Sequence, residues 1–123
     1  MNCLLAPPCE PVGASFGGPL PDSSFSASSD AGDNYAASNG RLNGPKAWCA
    51  KNESLDYLEI QLPTEMEICA IATQGLRELV NKKVWYGTVW FDLDSWVTSY
   101  DVFISKNGDD WSKIVSISFT HFY

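Results

Sequence analysis

The chain has 123 residues, 45% hydrophobic and 19% charged, with a formal net charge of −7. That length allows one domain at most, and the composition is globular, with five Trp, five Tyr and six Phe to fill a core. The acidic balance disfavours nucleic acid and anionic membrane at long range, and no apolar stretch approaches the roughly 20 residues of a membrane-spanning helix.

The opening "MNCLLAPPC" has no basic region, and its apolar run Leu4-Leu5-Ala6 is too short for a signal peptide. Residues 7–45 are crowded with Gly, Pro, Ser, Asn and Asp. Phe16, Leu20, Phe25, Tyr35 and Leu42 recur through them, which a linker would not carry, so long ordered loops are expected, with a short strand near 24–28. In "LDYLEIQL", Leu58, Ile60 and Leu62 alternate with Tyr57, Glu59 and Gln61, the period of a half-buried strand. Pro63-Thr64-Glu65 reads as a turn. "EICAIATQG" is apolar at both alternating positions, which predicts a central strand over 67–73 buried on both faces. "LRELVNKKV" carries the chain's helical signal, Leu76, Leu79 and Val80 sharing one face. In "WVTSYDVFISKNGDDW", Tyr100, Val102 and Ile104 alternate with Ser99, Asp101 and Ser105. Asn107-Gly108 then supplies a turn, and Trp111 opens the next strand. Short strands separated by turn signals predict an all-β sandwich or barrel.

Catalytic chemistry finds little support. Asp92 with Asp94 and Asp109 with Asp110 are pairs of a kind that can do acid–base work or hold calcium. Asp109-Asp110 falls in a turn, however, where Asp serves the local backbone. His121 is the single histidine, and neither a nucleophile motif nor a glycine-rich phosphate loop is present. The four cysteines, Cys3, Cys9, Cys49 and Cys69, fit either reduced structural thiols or a disulfide set. They contain no CxxC, and their spacing gives a zinc site no support. Asn52-Glu53-Ser54 is the chain's one glycosylation sequon.

The phrases "PLPDSSFSASS", "GRLNGPKAWCA", "YLEIQL", "ICAIATQG" and "WVTSYDVFISKNGDDW" follow one another in the order seen in the discoidin, or F5/8 type C, domain family. The chain resembles that family from Cys9 to about Trp111. The resemblance implies an all-β fold, a discoidin-like jelly-roll β-sandwich of the galactose-binding kind. It implies an extracellular or cell-surface binding module for glycan, protein or phospholipid head groups, placed at residues 9–123 behind an extension at 1–8. In the family, contacts come from loops following the first, second and fourth of these phrases (after "ASS", "AWCA" and "TQG"), which here are residues 30–39, 51–56 and 76–95. The candidate contact residues are therefore Asp30, Asp33, Asn34 and Tyr35, then Lys51 and Asn52, then Arg77, Trp85, Tyr86, Trp90 and Phe91. Tyr35 is open between a tip contact and a core contact. Asp30 and Asp33 are candidates for a calcium site, against the simpler reading of solvated loop acids.

Three departures from the family pattern stand out. Residues 76–95 are longer than the family's link and admit three readings. They are an aromatic spike that inserts in lipid or stacks on sugars, a hairpin covering the sandwich and turned at Gly87-Thr88, or a foreign stretch such as unspliced intron. Next, the family's arginine after "TQG" is replaced by Leu76, with Arg77 one place late, which counts against collagen binding of that type. Finally, "KIVSISFTHFY" drifts from the pattern after Ile114 and the family's last strands and closing cysteine are missing. Cys9 is then left without its family partner, and Cys49 with Cys69 is the remaining expected disulfide, against two buried free thiols. Cys3 reaches Cys9 only with strain. A sandwich lacking a strand exposes backbone groups and an apolar face, so marginal stability and aggregation are expected. Two functions follow. One is a module for cell-surface or matrix glycan or protein, ahead of anionic membrane. The other is an incomplete, non-functional or purely structural fragment of a larger adhesion protein.

Overall fold

A computed structural model describes residues 11–52 and 55–118. The strands are β1 (Phe25–Ala27), β2 (Leu58–Ile60), β3 (Leu76–Val84), β4 (Gly87–Ser95), β5 (Ser99–Ile104) and β6 (Ser112–Ser118). They pair antiparallel as three two-stranded sheets, β1 with β2, β3 with β4 and β5 with β6. Helical structure among the described residues is limited to 3-10 turns at Asp22–Ser24, Asp33–Tyr35 and Ala37–Gly40, so the all-β class holds. The chain divides into two compact units after Gln74.

The first unit is loop-rich, as its composition demands, and is organised around one buried cation. Leu20 and Phe25 are the buried hydrophobic residues among those described. The Arg41 guanidinium lies over the Phe25 ring, 4.6 Å from its centroid. Its Nε and Nη2 both donate to Asp22 Oδ1, at 3.1 and 2.8 Å, and Nη2 also donates to the Leu20 carbonyl. Phe16 N donates to the Leu42 carbonyl at 2.8 Å beside a parallel bridge from Ser15 to Leu42, tying the segment before β1 to the segment after Arg41. Gly18 is held so closely that a Cβ there would lie 2.5 Å from the Gly13 carbonyl oxygen. β1 and β2 match the expected strands near 24–28 and 57–62, with Phe25 opposite Ile60.

The expected central strand over 67–73 does not form. Residues 65–75 lie outside any strand, and Met66, Ile68 and Ile71 are exposed, Ile71 at 48%. An apolar run supplies no ladder of its own. A strand buried on both faces needs hydrogen-bonded neighbours and a covering layer, whereas β2 pairs with the three-residue β1 alone. The expected Cys49–Cys69 disulfide is also overturned. Cys49 is an exposed free thiol, while Cys69 is disulfide-bonded. Cys3 and Cys9 lie outside the described residues, as do the 1–8 extension, Glu53, Ser54 and His121.

In the second unit the helical reading of "LRELVNKKV" is replaced by β3, which pairs with β4 over its whole length from Leu76 opposite Ser95 to Val84 opposite Gly87. Nine residues make a marginal isolated helix. The neighbouring "GTVWFDLDS" is rich in β-branched and aromatic residues and one tight turn away, so strand pairing wins. The corner is Trp85-Tyr86 rather than Gly87-Thr88, and Gly87 takes the positive φ, 142°, that closes it. β5 and β6 form the expected second hairpin. A bulge after Val102 shifts the register from Val102–Val115 to Phe103–Lys113, which breaks the alternation read from the sequence. Tyr100 and Val102 stay half-buried and Ile104 is exposed. The connecting loop is organised by Asn107, whose Oδ1 accepts from the Asp109 and Asp110 amides at 2.9 and 2.8 Å. Across the strands Ser116 donates to Asp101 at 2.6 Å and Lys113 pairs with it at 3.1 Å. The Ser116 hydroxyl first, then Lys113, holds the Asp101 carboxyl below its ordinary range.

Removing the carboxylate that faces Arg41 leaves a mostly buried cation without its counter-charge. Asp22→Ala is expected to lower the urea-unfolding free energy by about 1–3 kcal/mol, whereas Asp109→Ala, at an exposed turn position, changes it by less than about 0.5 kcal/mol.

Candidate functional site

Two of the three loops expected to carry contacts come together in the first unit. The backbone joins the first loop to the "AWCA" phrase that leads into the second. Ala31 N donates to the Cys49 carbonyl at 2.9 Å, and Cys49 N to the Tyr35 carbonyl at 3.3 Å. Trp48 Nε1 donates to the Ser29 carbonyl at 2.9 Å, fixing the tryptophan of the "AWCA" phrase against the end of "ASS". A polar knot closes the arrangement. The Asp56 carboxylate accepts from Ser28 Oγ at 2.9 Å, Ser29 Oγ at 2.5 Å and Asn52 N at 2.8 Å. Ser29 Oγ in turn accepts from Lys51 N at 3.0 Å, and Ser28 Oγ from Tyr57 N at 2.8 Å. The Ser29 hydroxyl, then the Asn52 amide, then the Ser28 hydroxyl outweigh partial desolvation and hold Asp56 below the ordinary aspartate range.

The loop residues named from the sequence fall around this knot. Asp30 Oδ1 accepts from Gly32 N at 3.1 Å, a local turn bond. Asp33 opens a 3-10 turn that Tyr35 ends; Tyr35 is half-buried, and its N–H donates to the Gly32 carbonyl at 2.8 Å. Asn34 is exposed and its carbonyl accepts from Asn39 Nδ2 at 3.0 Å. Lys51 and Asn52 are exposed, with their amides held as above. No group of three or more His, Cys, Asp or Glu converges among the described residues. Ser28, Ser29, Trp48 and Asp56 build the loop pair but were not singled out as site residues. The signal for them was the Ser-Ser doublet at the end of a strand and the Asp just before the next one, a pairing legible only once β1 and β2 are known to be neighbours.

The third set lies on the β3–β4 hairpin of the second unit. Trp85 is 94% and Tyr86 67% exposed at its corner, their rings edge-to-face with centroids 5.2 Å apart and planes at 88°. Trp90, opposite Asn81 in the register, is 58% exposed. Phe91 is opposite Val80, and Arg77, opposite Asp94, sits near the far end of the hairpin from the two corner aromatics. The residues named from the sequence therefore lie on two kinds of surface, a polar loop pair and an aromatic corner.

The model of the F5/8 type C domain matches residues 24–121. Among curated relatives, hemocytin of Bombyx mori is 30% identical over 103 residues, covering 78% of this chain and 3% of the relative. Neuropilin-1 of Mus musculus is 30% identical over 99 residues, 79% of the chain and 10% of the relative, and neuropilin-1a of Danio rerio 30% over 107 residues, 85% and 10%. The chain thus spans a tenth or less of these relatives' length. No solved structure matches it.

The depressed Asp56 pKa gives the loop pair a pH dependence of known sign. The carboxylate bonds are fully present above the unfolded aspartate value of about 3.9 and are lost as pH falls below it through the folded value. Amide resonances of Lys51, Asn52 and Tyr57 are expected to titrate together with a midpoint below that value, and Asp56→Ala to abolish the shared titration.

Proposed function

The chain belongs to the F5/8 type C domain family, whose members are β-sandwich binding modules of adhesion and receptor proteins, and from that premise we propose that it works outside the cell as a recognition module that takes carbohydrate on the corner of the β3–β4 hairpin. The observation that carries this reading is the exposure of Trp85 and Tyr86 side by side. Two large aromatic rings held in water at a hairpin corner mark a contact surface. Set nearly perpendicular, they offer two flat faces on which the C–H surfaces of adjacent sugar rings stack, and the Tyr86 hydroxyl and Trp85 N–H remain at the edge for hydroxyl partners. The net charge of −7 works against anionic lipid on the same corner.

The loop pair supports the same module as a second, polar surface. Asn34, Lys51 and Asn52 are exposed there on amides pinned by the Asp56 knot, so their side chains extend from a fixed backbone. Asn52, as an exposed sequon asparagine, takes an N-glycan in a secreted chain, which would crowd that flank of the loop pair.

On a glycan array, Trp85→Ala and Tyr86→Ala are each expected to weaken binding at least about tenfold, or about 1.4 kcal/mol, with the chain's far-ultraviolet circular dichroism unchanged. Binding indifferent to both substitutions, or confined to phosphatidylserine vesicles, would remove the corner from the reading. Gly87→Val forces a β-branched residue into a positive φ and is expected to cost about 1–3 kcal/mol of hairpin stability, with loss of the same glycan signals.

A further inference from the structure

The chain contains three Asn-Gly steps, Asn39-Gly40, Asn43-Gly44 and Asn107-Gly108. Glycine after asparagine leaves the next backbone nitrogen free of a side chain, so that nitrogen can reach the asparagine side-chain carbonyl. The three steps are alike in sequence and differ in how the structure holds them. Asn39 Nδ2 donates to the Asn34 carbonyl at 3.0 Å, and Gly40 ends the Ala37–Gly40 turn, where a Cβ would lie 2.9 Å from Leu58 Cδ2. The Asn107 side chain is held at both ends. Its Oδ1 accepts from the Ser105 hydroxyl at 3.1 Å and from the Asp109 and Asp110 amides, and its Nδ2 donates to Asp110 Oδ2 at 2.9 Å. Gly108 N donates to Ser105 Oγ at 2.9 Å. Asn43, by contrast, is exposed, and its side chain makes no hydrogen bond among the described residues. Gly44 N reaches only a 3.4 Å bond to the Arg41 carbonyl. We propose that Asn43 is a self-modifying site, its amide converted to aspartate and isoaspartate, with water as the co-reactant, ahead of the other two steps.

The chemistry balances with neither oxidant nor reductant. Solvent base takes the Gly44 N–H proton, the nitrogen attacks Asn43 Cγ, and a succinimide ring closes. The Cγ–Nδ2 bond breaks, and the side-chain nitrogen leaves as ammonia, drawing its last hydrogen from solvent. Water then opens the ring. Attack at Cγ breaks its bond to Gly44 N and gives aspartate. Attack at the Asn43 main-chain carbonyl breaks the other carbon–nitrogen bond and gives isoaspartate, with the main chain rerouted through Cβ and Cγ. The reacting groups are neighbours at every Asn-Gly step, so closure depends on the side chain being free to swing over the next nitrogen. At Asn39 and Asn107 that motion first gives up hydrogen bonds. The place of Asn43 gives the conversion a consequence. The Leu42 carbonyl accepts from Phe16 N at 2.8 Å, Asn43 N donates to Gln74 Oε1 at 2.7 Å, and Gly44 N turns back to Arg41. Isoaspartate inserts an extra main-chain carbon among these ties and loosens the turn after Arg41, whereas aspartate adds a charge and keeps the chain length. This inference stands on the first unit and does not rest on the aromatic corner.

The test is to age the full chain at neutral pH and digest samples with trypsin, which places the three steps on separate peptides ending at Arg41, Lys46 and Lys113. Mass spectrometry reads the change from amide to acid, and an isoaspartyl methyltransferase labels isoaspartate. In the folded chain Asn43 is expected to convert at least about tenfold faster than Asn39 or Asn107; in urea the three rates are expected to draw together. Asn43 has a φ of 62°, which glycine adopts freely, so Asn43→Gly removes the amide at little cost to the turn. It is expected to abolish the fast conversion with the far-ultraviolet circular dichroism unchanged. In the aged chain the Phe16 and Gly44 amide resonances are expected to move in proportion to the isoaspartate formed, while Asn43→Asp leaves the Phe16 amide in place. Equal rates in the folded chain, Asn39 or Asn107 converting first, or fast conversion surviving Asn43→Gly would each overturn the assignment, and isoaspartate formed without movement of Phe16 would overturn its effect on the turn.

Discussion

The first unit depends on a single cation placed where a core would ordinarily be apolar. Arg41 covers the Phe25 ring, pairs with Asp22 and holds the Leu20 carbonyl, so one side chain fixes the entry to β1, the strand itself and the loop after the Ala37–Gly40 turn. A loop-rich segment has few ladder bonds with which to satisfy its backbone. A planar group with five donors can join three separated stretches at once, which an aliphatic residue in the same place could not. The aromatic face supplies the contact that lets so polar a group sit at low exposure.

The Asp56 knot applies the same logic at the other end of the β1–β2 ladder. Side chains from the end of β1 and from the approach to β2 meet there only because the ladder brings them opposite one another. The loops carrying Asn34, Lys51 and Asn52 are thereby short excursions from fixed points. Recognition by loops on a small rigid base works on this principle, since little ordering remains to be done when a ligand arrives. The β3–β4 hairpin achieves rigidity differently, by an uninterrupted nine-residue register that ends in a two-residue corner. Its aromatics are presented by ladder bonds rather than by a polar knot.

Polar side chains at loop ends here do structural work that composition alone assigns to solvation. Asn107 organises the β5–β6 loop through its carbonyl oxygen, while the adjacent acids Asp109 and Asp110 contribute amides. Asp101 couples β5 to β6 through Ser116 and Lys113, and Lys113 also lies 5.7 Å from the Phe103 ring centre.

What the sequence determined by itself was the all-β class, the ordered character of the glycine- and serine-rich first half, and the strands around Phe25, Leu58–Ile60 and Tyr100–Ile104. These follow from local signals: period-two alternation, turn residues, and apolar residues too frequent for a linker. The five ordered phrases added the family, which no periodicity could supply. Tertiary structure alone decided the rest. "EICAIATQG" has the composition of a buried strand but no ladder partner, so it stays outside the sheets, and "LRELVNKKV" follows the pairing preference of the strand beside it against its own helical spacing. The disulfide state of Cys69, the Asp56 knot and the unpaired Arg41 nitrogen likewise depend on which distant segments meet, and a linear pattern of side chains carries no record of that.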